Sequence, residues 1–174
     1  MNISRWALFW GCVMLGIAFL SQLETDTSRW ACSQTGVIDV SPDELFAFLT
    51  QPDHVTKWFA WVSHLKAGDS RPIGIGKRYY AIYNIPFYGE YAMMMKVTEW
   101  KENRRIALSS DNLFKPRMEV EFESTKLRST KLTFVLTFTR PSLLFQTVMG
   151  PVLYFLSKQQ LRHSLLFLQM MFTS

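Results

Sequence analysis

Residues 37–62 read VIDVSPDELFAFLTQPDHVTKWFAWV, and the order of signals in this stretch decides the fold. Val37 and Ile38 are β-branched and close a strand expected over residues 30–40. Ser41-Pro42-Asp43-Glu44 then has the form of a capping box, with Ser41 as N-cap, Pro42 at the first helical position and Glu44 at the third. Val40 before it and Leu45 after it fit a hydrophobic staple. Leu45, Phe46, Phe48 and Leu49 give a short amphipathic helix. That helix stops near Gln51-Pro52, because the residue before a proline disfavours helical backbone. Asp53 can cap a second short helix in which Val55, Trp58, Phe59 and Val62 share a face.

Toward the C-terminus the apolar period changes from helical to alternating. Residues 68–76 are turn-rich, residues 77–85 read as a strand, and Asn84-Ile85-Pro86 with Gly89 punctuates a hairpin. Tyr91, Met93, Met95 and Val97 share one face of the next strand, and residues 105–109 form a shorter one. Met118, Val120 and Phe122 alternate with Glu119, Glu121 and Glu123, as expected of an antiparallel strand with one solvated acidic face. Leu132, Phe134, Leu136 and Phe138 repeat the pattern. Pro141 ends the sheet, and Gly150-Pro151 launches a long helix to about Phe172, with Pro151 at its first position. A strand, two short helices, a run of antiparallel strands and one long helix amount to an α+β architecture with helices on one face of a sheet.

Toward the N-terminus, residues 6–20 (WALFWGCVMLGIAFL) are uncharged and follow Arg5. At ~1.5 Å per residue they span about 22 Å, and extension to Leu23 gives roughly 27 Å, near the thickness of a thin bilayer. Residues 1–23 are therefore expected to be a transmembrane signal anchor, residues 24–29 a linker, and residues 30–174 the folded domain. The expected location is single-pass in a membrane of the secretory pathway or cell envelope. The alternative is a cleaved signal peptide with secretion of the domain, although residues 18–23 lack a clean pair of small residues.

The 174 residues are 48% hydrophobic and 19% charged, which excludes a disordered chain and leaves room for one domain. Cys12 lies in the apolar segment and leaves Cys32 alone, so no disulfide framework is expected. The net charge of +5 comes from scattered Lys and Arg with no basic helix, which argues against nucleic acid. His54, His64 and His163 lack metal-site spacing, so no metal is expected. Gly74-Ile75-Gly76 is only a fragment of a dinucleotide fingerprint and lies before a strand, so no cofactor is expected.

The 37–62 stretch resembles the opening of START-like domains, the SRPBCC superfamily of polyketide cyclases and dehydrases, lipid-transfer proteins and coenzyme-Q-binding proteins. Further points of resemblance are IGIGKR (73–78), VTEWKENRRIAL (97–108), STKLTFVLTF (129–138) and a long closing helix after MGP (149–151). The resemblance covers about residues 30–172 and implies a helix-grip fold, in which a curved antiparallel sheet wraps the C-terminal helix and encloses a cavity. It carries over no catalytic residue.

Tyr79, Tyr80, Tyr83, Tyr88 and Tyr91 crowd into one hairpin beside Met93, Met94 and Met95. Ordinary sheet packing accounts for such a cluster. In a helix-grip fold the inward subset would instead form a deformable aromatic wall, since Met adapts to irregular shapes and Tyr adds a polar tip. The expected ligand-binding set is Trp58, Tyr79, Tyr83, Tyr91, Met93, Met95, Phe122, Phe134, Phe138 and Leu156, with Tyr80-Ile82 as the rival inward register. Arg162 and His163 could meet a polar headgroup. The function expected is a membrane-tethered domain that binds or transfers a lipid, sterol or quinone. The alternatives are a cyclase- or dehydrase-type enzyme, disfavoured by apolar inward faces, and a non-catalytic interaction domain whose cavity is filled.

Overall fold

A computed structural model describes residues 3–59, 61–85, 89–125 and 128–173. Its elements in chain order are α1 (Ile3–Gln22), a 3₁₀ turn (Ser28–Trp30), β1 (Cys32–Ile38), α2 (Pro42–Thr50) and α3 (Pro52–Trp58). The strands β2 (Val62–Ala67), β3 (Arg78–Ile85), β4 (Gly89–Lys101), β5 (Arg105–Ser109), β6 (Pro116–Ser124) and β7 (Thr130–Phe138) follow, and α4 (Leu143–Phe172) closes the chain. The strands form one antiparallel sheet in the order β1-β7-β6-β5-β4-β3-β2. Helix α4 packs on β1 and β7, α2 on β6, and α3 on β2 and α4, so all three lie over one face of the sheet. This is the α+β, helix-grip arrangement.

The opening stretch folds much as its chemistry dictates, with two changes at the caps. Val40 and Leu45 are both buried, as a staple requires, and Pro42 occupies the first turn. Ser41 holds the N-cap position without a side-chain bond to the backbone. Its hydroxyl bonds instead to the Asp43 carboxyl, which holds that group below the usual carboxylate range. Gln51, not Asp53, is the N-cap of α3, because Pro52 already fixes the first helical φ and places Asp53 in the first turn.

Strand alternation puts Met118, Val120 and Phe122 of β6 and Leu132, Phe134, Leu136 and Phe138 of β7 into the core. Register between β3 and β4 pairs Tyr79 with Met95, Ala81 with Met93 and Tyr83 with Tyr91. Tyr79 and Ala81 are buried while Tyr80 is exposed, so the rival register is not the one adopted. Tyr88 lies outside the described residues.

Two expectations about helices require correction. Helix α4 starts at Leu143, not at Pro151, with Ser142 as its N-cap accepting from the Phe145 amide at 3.4 Å. Pro151 sits inside the helix. Helix α1 exists, but the transmembrane reading fails: among the described residues no helix is long and apolar enough to cross a membrane. Its unbroken apolar stretch, residues 6–20, is fifteen residues or about 22 Å, against a hydrocarbon core of about 30 Å, and Ile3, Ser4, Arg5, Ser21 and Gln22 make up the rest. The expected single-pass location rested on that span and falls with it. The chain leaving α1 is tied to the start of α4 by Thr25 N to Pro141 O (2.7 Å) and Leu143 N to Leu23 O (2.7 Å).

Candidate hydrophobic cavity

Between the helix-covered face of the sheet and α3 and α4 lie two adjoining voids, of about 80 and about 50 Å³. The larger lies over β2, β3, β4, β5 and β6, walled by Trp58, Tyr79, Ile106 and Val120 among others. The smaller reaches α4 at Leu153 and Leu156, with Met93, Phe114 and Phe138. Phe59, Tyr83, Met95 and Met118 line both and so form the partition. Two of those four are methionines, whose unbranched side chains change rotamer at low cost.

The position of each expected residue follows from its place along its strand. Trp58, Tyr79, Tyr83 and Met95 line the larger void; Tyr83, Met93, Met95, Phe138 and Leu156 line the smaller. Phe122, Phe134 and Tyr91 line neither. Phe122 faces inward, but Phe46 from α2 covers it with ring centroids 5.2 Å apart. Phe134 is fully buried beneath Trp58, whose ring stacks on it at 5.3 Å and 20°. Tyr91 is half-buried against the Phe114 ring at 5.9 Å. An inward direction is thus necessary but not sufficient, because helix side chains fill part of the concave face. Met118 is absent from the expected ligand set, although it shares a face with Phe122 two pleats away. Ile73 is absent too, and no periodicity could have placed it, since it lies in a turn.

That turn is held by a buried cation. Lys77 is buried and its Nζ donates to the carbonyls of Asp69 (2.7 Å) and Arg71 (2.6 Å), while Asp69 Oδ1 lies 3.2 Å away. Burial opposes the charge on Asp69, but the hydrogen bond and field of Lys77 outweigh it and hold the carboxyl below its usual range. The clasp fixes residues 69–77 so that Ile73 closes the edge of the larger void. Burial pushes the Tyr83 phenol well up, and it pushes Tyr79 up too with Asp69 adding to it, so both tyrosines present neutral hydroxyls.

The polar atoms around the interior are few. Trp58 Nε1, Ser157 Oγ, Gln160 Nε2 and Ser164 Oγ are buried with no hydrogen-bond partner among the described residues. No cluster of three or more metal-ligating side chains occurs among the described residues. His54 stacks its ring on Phe48 at 4.4 Å, away from the voids. Among the described residues neither void has a carboxylate or histidine in its wall.

Comparison with known proteins agrees with this architecture. Among solved structures, a START superfamily protein from Mycobacterium smegmatis superposes with a TM-score of 0.67 at 16% identity, covering 82% of this chain and 97% of that one. A Thermus thermophilus protein gives a TM-score of 0.65 at 13% identity, covering 80% and 94%. A Deinococcus radiodurans protein gives 0.53 at 18%, covering 76% and 98%. These likenesses establish the START-like fold. Among curated proteins none matches the chain. The family model described as Activator of Hsp90 ATPase homolog 1-like protein matches residues 39–147, from the end of β1 into α4. Spanning more than half of the sequence, that match establishes that the chain belongs to the Activator of Hsp90 ATPase homolog 1-like family, within the START-like (SRPBCC) superfamily.

Proposed function

We propose that the protein binds a hydrophobic small molecule of the lipid or quinone kind in the space between the sheet and α4. The observation that carries the reading is the pair of adjoining apolar voids with a methionine-rich partition. At about 80 and 50 Å³ they fall short of the roughly 300 Å³ of a pocket that encloses a drug-sized ligand. The ligand therefore enters by displacing Met95 and Met118, which merges the voids, and a slender flexible body suits that path better than a rigid sterol. Acid–base catalysis is disfavoured, since among the described residues no titratable group other than the two neutral tyrosines lines the voids.

Native mass spectrometry of the full chain purified from cells tests this reading. The expected result is a co-purifying apolar adduct that organic extraction removes and a panel of acyl chains and quinones replaces. An adduct-free protein that binds nothing in the panel overturns it. The small voids favour one other reading, an interaction domain with a filled interior. The family's name refers to an activator of the Hsp90 ATPase, a role exercised through a partner protein. An adduct-free protein that stimulates that ATPase would support it.

A further inference from the structure

A second space adjoins the smaller void at Leu156. Trp61 and Leu156, which line it, also line a recess of about 120 Å³ completed by Gln159, Gln160 and His163. Two side chains thus stand between an apolar interior and a polar chamber. Gln160 is only 3% exposed, and its Nε2 donor has no partner among the described residues. Leaving a buried amide donor unpaired costs free energy that an incoming acceptor would recover. Gln159 and His163 in turn line an open groove along the outer side of α4, together with Lys158 and Arg162. Lys158 and Arg162 are exposed, stand one helical turn apart, and make no ion pair with an acidic side chain among the described residues. The sequence from outside to inside is therefore two cations, an unsatisfied donor, an aromatic gate and an apolar void.

We propose that this face of α4 is the mouth of the ligand site and that it selects a single-chain amphiphile with an anionic oxygen headgroup, such as a carboxylate. The headgroup oxygen accepts from Gln160 Nε2, Lys158 and Arg162 supply the countercharge at the rim, and the chain passes Trp61 and Leu156 into the voids. A positively charged headgroup is repelled at the same rim, and a neutral alcohol satisfies Gln160 but gains nothing from the cations. The inference rests on the proposed binding of a hydrophobic molecule and adds to it the entrance, the polarity and the charge of the ligand.

The test titrates the full chain with three twelve-carbon probes that differ only in headgroup: dodecanoate, dodecanol and dodecyltrimethylammonium, each below its micellar concentration. Dodecanoate is expected to bind roughly tenfold more tightly than dodecanol, as a charge-assisted bond exceeds a neutral one, and the ammonium probe most weakly. The dodecanoate-to-dodecanol ratio should fall toward one in the surface variant Lys158→Gln/Arg162→Gln, which leaves the core untouched. It should also fall in Gln160→Leu. Equal affinity for dodecanoate and dodecanol, tighter binding of the ammonium probe, or a ratio unchanged in both variants overturns the headgroup site while leaving the hydrophobic-binding reading intact. Failure of all three probes to bind wild type removes both.

Discussion

At Gly150 a single missing methyl group decides whether two distant parts of the chain can meet. A Cβ built there would lie 2.3 Å from Trp30 Cδ1 and 2.6 Å from Nε1, far inside contact distance. The indole uses the space to donate from Nε1 to the Gln146 carbonyl at 2.7 Å, on the turn of α4 just before Pro151. Proline lacks the amide hydrogen its helical position calls for, so the ladder of α4 is one hydrogen bond short at this turn, and Trp30 braces it from outside. Gly150→Ala is expected to lower stability by about 1–3 kcal/mol, the usual cost of overpacking, measured by chemical denaturation. In a Trp30→Ala background the same substitution should cost much less, since the clash is gone; an equal cost in both backgrounds would place the strain elsewhere. Gly150-Pro151 reads from sequence as a helix start, because both residues usually punctuate helices. The contact that overrides that tendency comes from Trp30, 116 residues from its partner carbonyl, which no local pattern could reveal.

The sheet shows the same division at the level of elements. Alternation makes β6 and β7 legible, including which side faces the core, because a two-residue period depends only on near neighbours. Which groups meet on the outer face depends on strand order. Alternation places Glu119 on a solvated acidic face, yet it bonds to Arg105 of β5 and to Arg117 Nε at 2.6 Å, and Arg105 also reaches Glu99 of β4 at 3.4 Å. Partial burial works against the charge on Glu119, but the two arginine bonds outweigh it and hold its carboxyl below the ordinary value of 4.5. A lowered folded-state pKa adds stability that is fully present above the unfolded value and is lost as pH falls through the folded one. Glu119→Gln should therefore melt below wild type at neutral pH, and the gap should begin to narrow near pH 4.5 and close at lower pH. Thermal melts between pH 7 and about pH 3 check this, and a gap that is constant across the range would assign the loss to packing rather than charge. The N-terminal element marks the opposite limit. Helix α1 is legible as a helix, but its polar ends leave too short an apolar length to span a bilayer.

For the molecule as a whole, the architecture was legible because caps, alternation and a long closing helix all point to one arrangement. The cavity was legible only in part, since its shape depends on how far α2 and α3 intrude on the sheet. Phe46 over Phe122 and Trp58 over Phe134 close space that strand direction alone would leave open, and what remains is divided by Met95 and Met118. If the two voids serve as one site, the partition must move when a ligand binds, and its stiffness becomes a measurable property. A ligand at about 100 times its Kd stabilises the folded state by about 2.7 kcal/mol, which in a chain of this size is roughly 5–10 °C in Tm. With dodecanoate that rise is expected for wild type and for Met94→Phe, an outward neighbour on β4. Met118→Phe keeps the core filled but puts a stiffer ring in the partition, and there the rise should fall below about 2 °C under the same conditions. Met118→Ala removes the partition, costs about 2–5 kcal/mol of stability without ligand, and should regain more of it from longer acyl chains than wild type does. An undiminished rise in Met118→Phe would mean that the ligand occupies one void alone, and the partition would then be ordinary core.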